Sequence, residues 1–114
     1  MAVGFETKAV GDVVVLAPAG RLVIGEEVSA LRDKIQELLG TGTRNILLNL
    51  SSVTYIDSTG VGAIVSGFTT VRRKGGHMKL FGLQDRVRDI LVVTKLLTVF
   101  DVFKNEEEGV KSFS

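Results

Sequence analysis

The feature that most limits how this chain can fold is a continuous apolar run, Ile-Leu-Leu at residues 46–48, near the middle of the sequence. A strand with one solvated face alternates apolar and polar side chains, whereas this run places apolar side chains on both faces. A strand of that kind is covered on two sides, as in parallel sheets with helices on both faces. Residues 44–50 therefore predict a central strand of an α/β domain.

The sequence before this run predicts an antiparallel hairpin. Apolar and polar residues alternate over residues 5–9, a Gly-Asp pair interrupts the pattern, and a β-branched apolar run follows at residues 13–17. Two strands separated by a short glycine-containing turn are typical of a hairpin. We expect residues 18–20, Pro-Ala-Gly, to break the second strand, and residues 21–24 to be either a short strand or an extended lead into a helix.

The rest of the sequence predicts alternating helices and strands. A helix with a 3.6-residue apolar period begins near Glu26, and Gly40 is placed to be its left-handed C′ residue. The further predicted elements are a helix at 59–73, a strand at 78–81, a helix around 87–94, a strand at 99–103 and a C-terminal helix capped by Asn105. The predicted fold class is a single-domain α/β protein spanning residues 1–114, a mixed β-sheet in which an N-terminal antiparallel hairpin is followed by βα units with helices packed on the sheet.

Composition narrows the range of functions. The 114 residues include no cysteine and one histidine, His77, so metal ligation and acid–base catalysis lack their usual residues. A net charge of +1 does not favour binding to nucleic acid or to a membrane surface. We therefore expect no enzyme activity, no metal and no cofactor. The sequence has neither a secretion-signal pattern nor an apolar run of ~20 residues, which predicts a cytoplasmic protein.

The segment at residues 55–62, Tyr-Ile-Asp-Ser-Thr-Gly-Val-Gly, carries the main functional signal. It lies where a strand or extended loop meets a helix, so Asp57 or Ser58 is expected to be the N-cap. A hydroxyl there is exposed and lies at the positive end of the helix dipole, which tolerates an added phosphate. Ser58 is therefore a candidate phosphoacceptor, although an ordinary helix cap would explain the same residues.

The helix that follows has a second unusual property, a face of small residues. Opposite its apolar stripe lie Thr59, Gly62, Ser66, Thr69 or Thr70, and Arg73, and a smooth face of this kind lets another surface approach closely. We expect a binding surface where Gly60, Gly62 and Gly67 cluster on this helix. Close packing on the sheet is the other explanation for these glycines.

Residues 48–62, LNLSSVTYIDSTGVG, resemble the signature of the STAS domain, in particular the free-standing anti-sigma factor antagonists of bacteria. The resemblance extends over almost the whole chain, including Ala-Gly-Arg-Leu at 19–22 and the Gly-Gly turn at 75–76. It implies a protein that binds an anti-sigma factor serine kinase and thereby frees a sigma factor. The kinase would phosphorylate Ser58 and abolish binding, and a metal-dependent PP2C-type serine phosphatase would restore it. The partner-binding residues expected on this basis are Asp57, Ser58, Thr59, Gly60, Gly62 and Ser66.

Other interpretations remain open from sequence alone. A phosphoaspartate receiver would use Asp57, but the first strand offers no acidic pair to hold the required cation. A serine hydrolase would need a glycine two residues before Ser58, where Ile56 stands instead. A STAS domain that acts as a non-switching scaffold in a larger signalling assembly is the remaining alternative.

Overall fold

The computed structural model describes residues 5–114 as an α/β fold with two sheets. The strands in this range are β1 (Phe5–Val10), β2 (Val13–Pro18), β3 (Gly20–Leu22), β4 (Asn45–Asn49), β5 (Val53–Ile56), β6 (His77–Phe81) and β7 (Val102–Phe103). The α-helices are α1 (Glu26–Gly40), α2 (Ser58–Arg73), α3 (Asp85–Val93) and α4 (Glu106–Lys111). Apart from β5, which the sequence did not predict as a separate strand, the strands and helices follow the predicted order.

The main sheet has the order β1-β2-β4-β6-β7, with β1 antiparallel to β2 and every other neighbouring pair parallel. The predicted N-terminal hairpin and the mixed sheet are thereby confirmed. Strand β4 lies at the centre, where Ile46 and Leu48 enter one core and Leu47 enters the other. All three side chains are buried, as the continuous apolar run requires.

Helices cover both faces of this sheet. Helices α1, α2 and α3 bury their apolar stripes in the larger core, together with Ile46, Leu48, Met78 and Leu80 of the sheet. On the opposite face, Leu47 and Phe81 pack in a smaller core that includes residues of α4 and the segment after it. The domain is therefore three-layered, with most of its buried apolar surface on the side of α2.

A second, two-stranded sheet brings the loop after β3 next to the N-terminus of α2. Strands β3 and β5 pair in parallel, with Leu22 opposite Ile56 at the end of both strands. Because parallel strands end at the same edge, the loop after β3 lies beside the N-terminus of α2. The sequence does not distinguish β5 from the loop before α2, because the four residues of β5 do not alternate: Val53 and Ile56 are buried while the two between them are exposed.

The predicted break after the second strand is confirmed, because β2 ends at Pro18 and Ala19 belongs to no strand. Pro18 lies opposite Phe5 at a non-hydrogen-bonded pair of the ladder, so no N–H is needed towards β1. The last strand is shorter than predicted, since β7 has only two residues. The predicted C-terminal helix is confirmed, with the Asn105 side chain accepting a bond from Glu108 N at 2.9 Å.

The predicted end of α1 is also wrong by two residues. Gly40 is still helical, and Gly42 is the residue with positive φ, at 98°. Gly42 N donates to Leu39 O at 3.1 Å and Thr43 N donates to Leu38 O at 3.0 Å, which is the bonding pattern of a Schellman motif. Because the sequence has a glycine at both positions, only the length of the helix decides which of the two is the C′ residue.

This boundary leads to a paired stability prediction. Gly42→Ala is expected to lower the free energy of unfolding by about 1–2 kcal/mol, because alanine is strained at positive φ. Gly40→Ala is expected to raise it by about 0.5–1 kcal/mol, because a Cβ at this helical position meets no atom within 4 Å. Urea denaturation of the two variants measures both effects. A more stable Gly42→Ala variant or a less stable Gly40→Ala variant would contradict the observed helix end.

Candidate functional site

The candidate site is the N-terminus of α2. Asp57 is the N-cap, with extended backbone (φ −103°, ψ −176°), and its Oδ1 accepts a hydrogen bond from Gly60 N at 2.8 Å. Ser58 is the first residue of the 16-residue helix and is exposed. Of the two residues that the sequence offers as the cap, Asp57 therefore has that role. The Ser58 side chain is left at the surface.

Asp57 also joins the helix to the neighbouring sheet. Its Oδ1 accepts a second bond, from Thr59 Oγ1 at 2.8 Å, and its Oδ2 accepts one from Ile24 N at 2.9 Å. Its own backbone N–H donates to Leu22 O at 3.3 Å. One side chain thus holds together the loop after β3 and the first turn of α2, with Ser58 between its two anchored neighbours.

These donors favour the ionised form of Asp57. Burial raises the pKa of the carboxyl, but hydrogen bonds from the backbone N–H groups of Ile24 and Gly60 and from Thr59 outweigh this effect. The pKa of Asp57 is therefore below the ordinary aspartate value. A full negative charge consequently lies beside the Ser58 hydroxyl at neutral pH.

The glycines of α2 do not form the single exposed cluster that the sequence analysis expects. Gly60 is buried, and a Cβ there would overlap Leu22 O. Gly67 is also buried, and a Cβ there would be 2.7 Å from Ile35 Cδ1 of α1. Both glycines allow close packing of α2 inside the domain. Gly62 is the exposed one, with open space at its Cβ position.

The exposed face of α2 is nevertheless made of small side chains. Ser58, Gly62, Ser66 and Thr69 are exposed, and Thr59 is half-buried. Thr69 Oγ1 donates to Val65 O at 3.0 Å, so its hydroxyl bonds to the helix instead of extending outward. Partner contact by Asp57, Ser58, Thr59, Gly62 and Ser66 stays a prediction that this geometry permits. Gly60 turns inward, which leaves it a packing role.

Two exposed residues beside this site, Ile24 and Tyr55, are not among the predicted partner-binding residues. Ile24, whose N–H binds Asp57, is 72% exposed. Tyr55 is also exposed, and the Arg21 guanidinium lies 5.1 Å from its ring centroid. The sequence gives no signal for this proximity, because Ile24 and Asp57 are 33 residues apart and are joined by the pairing of β3 with β5.

Known proteins share the sequence pattern and the fold of this chain. A STAS domain model matches residues 4–109. The chain belongs to the STAS domain family. The resemblance seen in the sequence is thereby confirmed. An anti-sigma-B factor antagonist of Bacillus subtilis (strain 168) is 35% identical over 81 residues, which are 71% of this chain and 73% of that protein.

Solved structures share the STAS fold. The crystal structure of a provisionally named anti-sigma factor antagonist from Thermotoga maritima gives a TM-score of 0.88 at 30% identity, over 95% of this chain and 92% of that one. The anti-sigma factor antagonist SpoIIAA in its unphosphorylated form gives 0.73 at 21% identity, over 96% of each chain. The phosphorylated form of Bacillus SpoIIAA gives 0.74 at 22% identity, over 97% of this chain and all (100%) of that one. At this identity, SpoIIAA shows the fold alone.

The receiver interpretation of Asp57 fits this STAS structure poorly. Both carboxylate oxygens accept hydrogen bonds that hold the first turn of α2 and the loop after β3, so Asp57 has a structural role in this fold. Across residues 5–114, no group of three or more acidic or histidine side chains is placed to hold a metal ion.

None of the helices within residues 5–114 has the length and the apolar character that a membrane span requires.

The two kinds of glycine in α2 give a stability prediction. Gly60→Ala is expected to lower the free energy of unfolding by about 1–3 kcal/mol, because the added methyl group overlaps Leu22 O. Gly62→Ala is the matched control and is expected to raise it by up to about 1 kcal/mol, since alanine favours a helix and has open space here. Thermal or urea denaturation measures both. A neutral effect of Gly60→Ala would contradict the close approach of α2 to β3.

Asp57 gives a prediction for the pH dependence of stability. Its pKa is lower in the folded protein than in the unfolded chain, so the carboxylate stabilises the fold fully above about pH 4, and the effect is lost as the pH falls through the lowered value. Asp57→Ala is expected to lower the free energy of unfolding by about 0.5–2 kcal/mol at neutral pH. The difference from the wild type is expected to shrink as the pH falls from about 4 through the lowered pKa of Asp57. Urea denaturation across this range tests it, and a difference that grew in acid would refute the assignment.

Proposed function

We propose that this protein is an anti-sigma factor antagonist that binds an anti-sigma factor serine kinase in the cytoplasm and so releases a sigma factor. Phosphorylation of Ser58 by that kinase ends the binding, and a PP2C-type serine phosphatase resets the protein. The chain itself acts as a binding protein and supplies no catalytic group. The observation that carries this proposal is the exposed Ser58 hydroxyl, which begins α2 between two residues held in place by hydrogen bonds.

The position of Ser58 suits phosphoryl transfer. The Ser58 oxygen attacks the γ-phosphorus of ATP, its proton passes to a base of the kinase, and the bond to the leaving ADP breaks. The reaction needs an accessible hydroxyl and no movement of the domain core. The Asp57 cap at the start of α2 does not use the Ser58 side chain, so the helix keeps its cap when that side chain is modified.

The phosphate would change the surface more than the fold. A phosphoserine carries about −1.5 to −2 charges, and the N-terminus of a helix is the end that favours them. The Asp57 carboxylate next to it already carries a negative charge, so the two together form a concentrated anionic patch. A partner surface matched to a neutral hydroxyl would lose about 2–5 kcal/mol against such a patch, which is roughly 30- to 5,000-fold in affinity.

The comparisons support the same proposal. The Bacillus subtilis relative at 35% identity is named as an anti-sigma-B factor antagonist, and SpoIIAA has been solved in a phosphorylated form. Exposed small residues along α2 provide a face that a partner can approach closely. Ile24, whose N–H donates to Asp57, also has an exposed apolar side chain, and burial of apolar surface favours association.

The test is phosphorylation by a panel of purified anti-sigma factor serine kinases with ATP, followed by peptide mass spectrometry. Phosphate is expected on Ser58 in the wild type and in Thr59→Ala, and to be absent in Ser58→Ala. Thr59 is the matched control because it is the neighbouring hydroxyl, but it is half-buried and donates to Asp57. Phosphate on Thr59, or equal labelling of Ser58→Ala, would show that the switch residue is misassigned.

Binding is tested separately with the same kinases. Ser58→Glu is expected to unfold at the wild-type urea concentration but to bind the kinase at least about 30-fold more weakly, and Ser58→Ala is expected to bind as the wild type does. Isothermal titration calorimetry measures both. Wild-type affinity of Ser58→Glu would instead favour a non-switching scaffold.

A further inference from the structure

The outer edge of the main sheet is a second surface, which the proposed function does not use. Among the strands of residues 5–114, β1 pairs with β2 alone, and residues 6–9 are exposed. An exposed strand edge presents backbone N–H and C=O groups and can accept a further strand. The strand that can pair with this edge depends on which residues of β1 direct their backbone N–H and C=O groups outward.

The β1–β2 turn fixes that direction. The turn has two residues, so Val10 and Val13 face each other as a hydrogen-bonded pair. Hydrogen-bonded and non-hydrogen-bonded pairs alternate along an antiparallel ladder, so every second residue before Val10 bonds to β2. Phe5, Thr7 and Ala9 alternate with the residues that bond to β2, and their backbone N–H and C=O groups point away from the sheet.

These three residues are symmetric about Thr7. A two-fold axis at Thr7 places Thr7 opposite Thr7 of a second copy. It also places Phe5 of each copy opposite Ala9 of the other. All the outward backbone groups are then paired, with about six main-chain hydrogen bonds. A two-fold axis at Glu6 or Lys8 would instead meet residues whose backbone groups already bond to β2.

The charges of β1 agree with the same register. With the axis at Thr7, Glu6 faces Lys8 of the second copy, and this pair occurs twice. Both pairs are at non-hydrogen-bonded positions, where opposing side chains lie closest and opposite charges stabilise the ladder. Lys8 already contacts Glu106 at 2.7 Å, but both side chains are partly exposed and an ammonium has three donors, so Lys8 is able to bind both carboxylates.

We propose that two copies of this chain associate through β1, antiparallel and with Thr7 on the two-fold axis, to join their main sheets into one. The contact is one strand wide and buries much less than the ~1,600 Å² of a standard interface. The dimer is therefore weak and depends on concentration. It does not require Ser58, a kinase or phosphorylation.

Cysteine cross-linking tests the register directly, because the natural chain contains no cysteine. At a hydrogen-bonded pair the two Thr7 Cα atoms are about 5.5 Å apart, within the range that a disulfide spans. Ala9 is the control on the same face of the same strand, since its two copies would be about 14 Å apart. Under a glutathione redox buffer, Thr7→Cys is expected to form dimers at least about tenfold faster than Ala9→Cys. Equal rates, or no dimer from either variant, would overturn the proposal.

A charge exchange tests the same contact without a covalent bond. In sedimentation equilibrium, the average mass of the wild type is expected to rise from monomer toward dimer as the concentration approaches about 1 mM. Glu6→Lys and Lys8→Glu each place like charges opposite and are expected to raise the dimer dissociation constant about tenfold or more. An equimolar mixture of the two variants restores both opposite-charge pairs and is expected to dimerise again. A monomeric wild type, single variants that dimerise normally, or a mixture that stays monomeric would each refute this register.

Discussion

The carboxylate of Asp57 is the interaction on which the site depends. One oxygen accepts from Gly60 N and Thr59 Oγ1 in the first turn of α2, and the other accepts from Ile24 N in the loop after β3. The two segments are distant in sequence, and β3 pairing with β5 brings them together. The loop and the helix end are therefore held as one surface around Ser58, the residue whose hydroxyl is left exposed.

The approach of α2 to β3 explains why a glycine follows this cap so closely. A side chain at Gly60 would overlap the Leu22 carbonyl, so the helix reaches its position only without one. Two residues later, Gly62 has open space and an exposed surface instead. The same residue type thus serves packing at one position and exposure at the other, and Gly67 repeats the packing role against Ile35 of α1.

This division marks where prediction from sequence succeeds and where it stops. The central position of β4, the hairpin and the Asn105 cap each follow from residues within a few positions of one another, and all three are confirmed. The β3–β5 sheet was not foreseen, because it joins segments about thirty residues apart and its short strands carry no clear alternation. The inward orientation of Gly60 was missed for the same reason, since it depends on where β3 lies.

The charge at the site bears on how a switch would operate. Asp57 is ionised because backbone donors from two elements converge on it, and these donors are satisfied whether or not Ser58 is modified. A phosphate on Ser58 would add charge beside an anchored carboxylate, at a helix end that tolerates it. Because hydrogen bonds to Asp57 hold the loop and the helix in place, we expect the domain to keep its conformation on phosphorylation. On our proposal, the effect would therefore fall on the approaching partner, as repulsion and lost fit, and the switch would be electrostatic and local to the surface around Ser58.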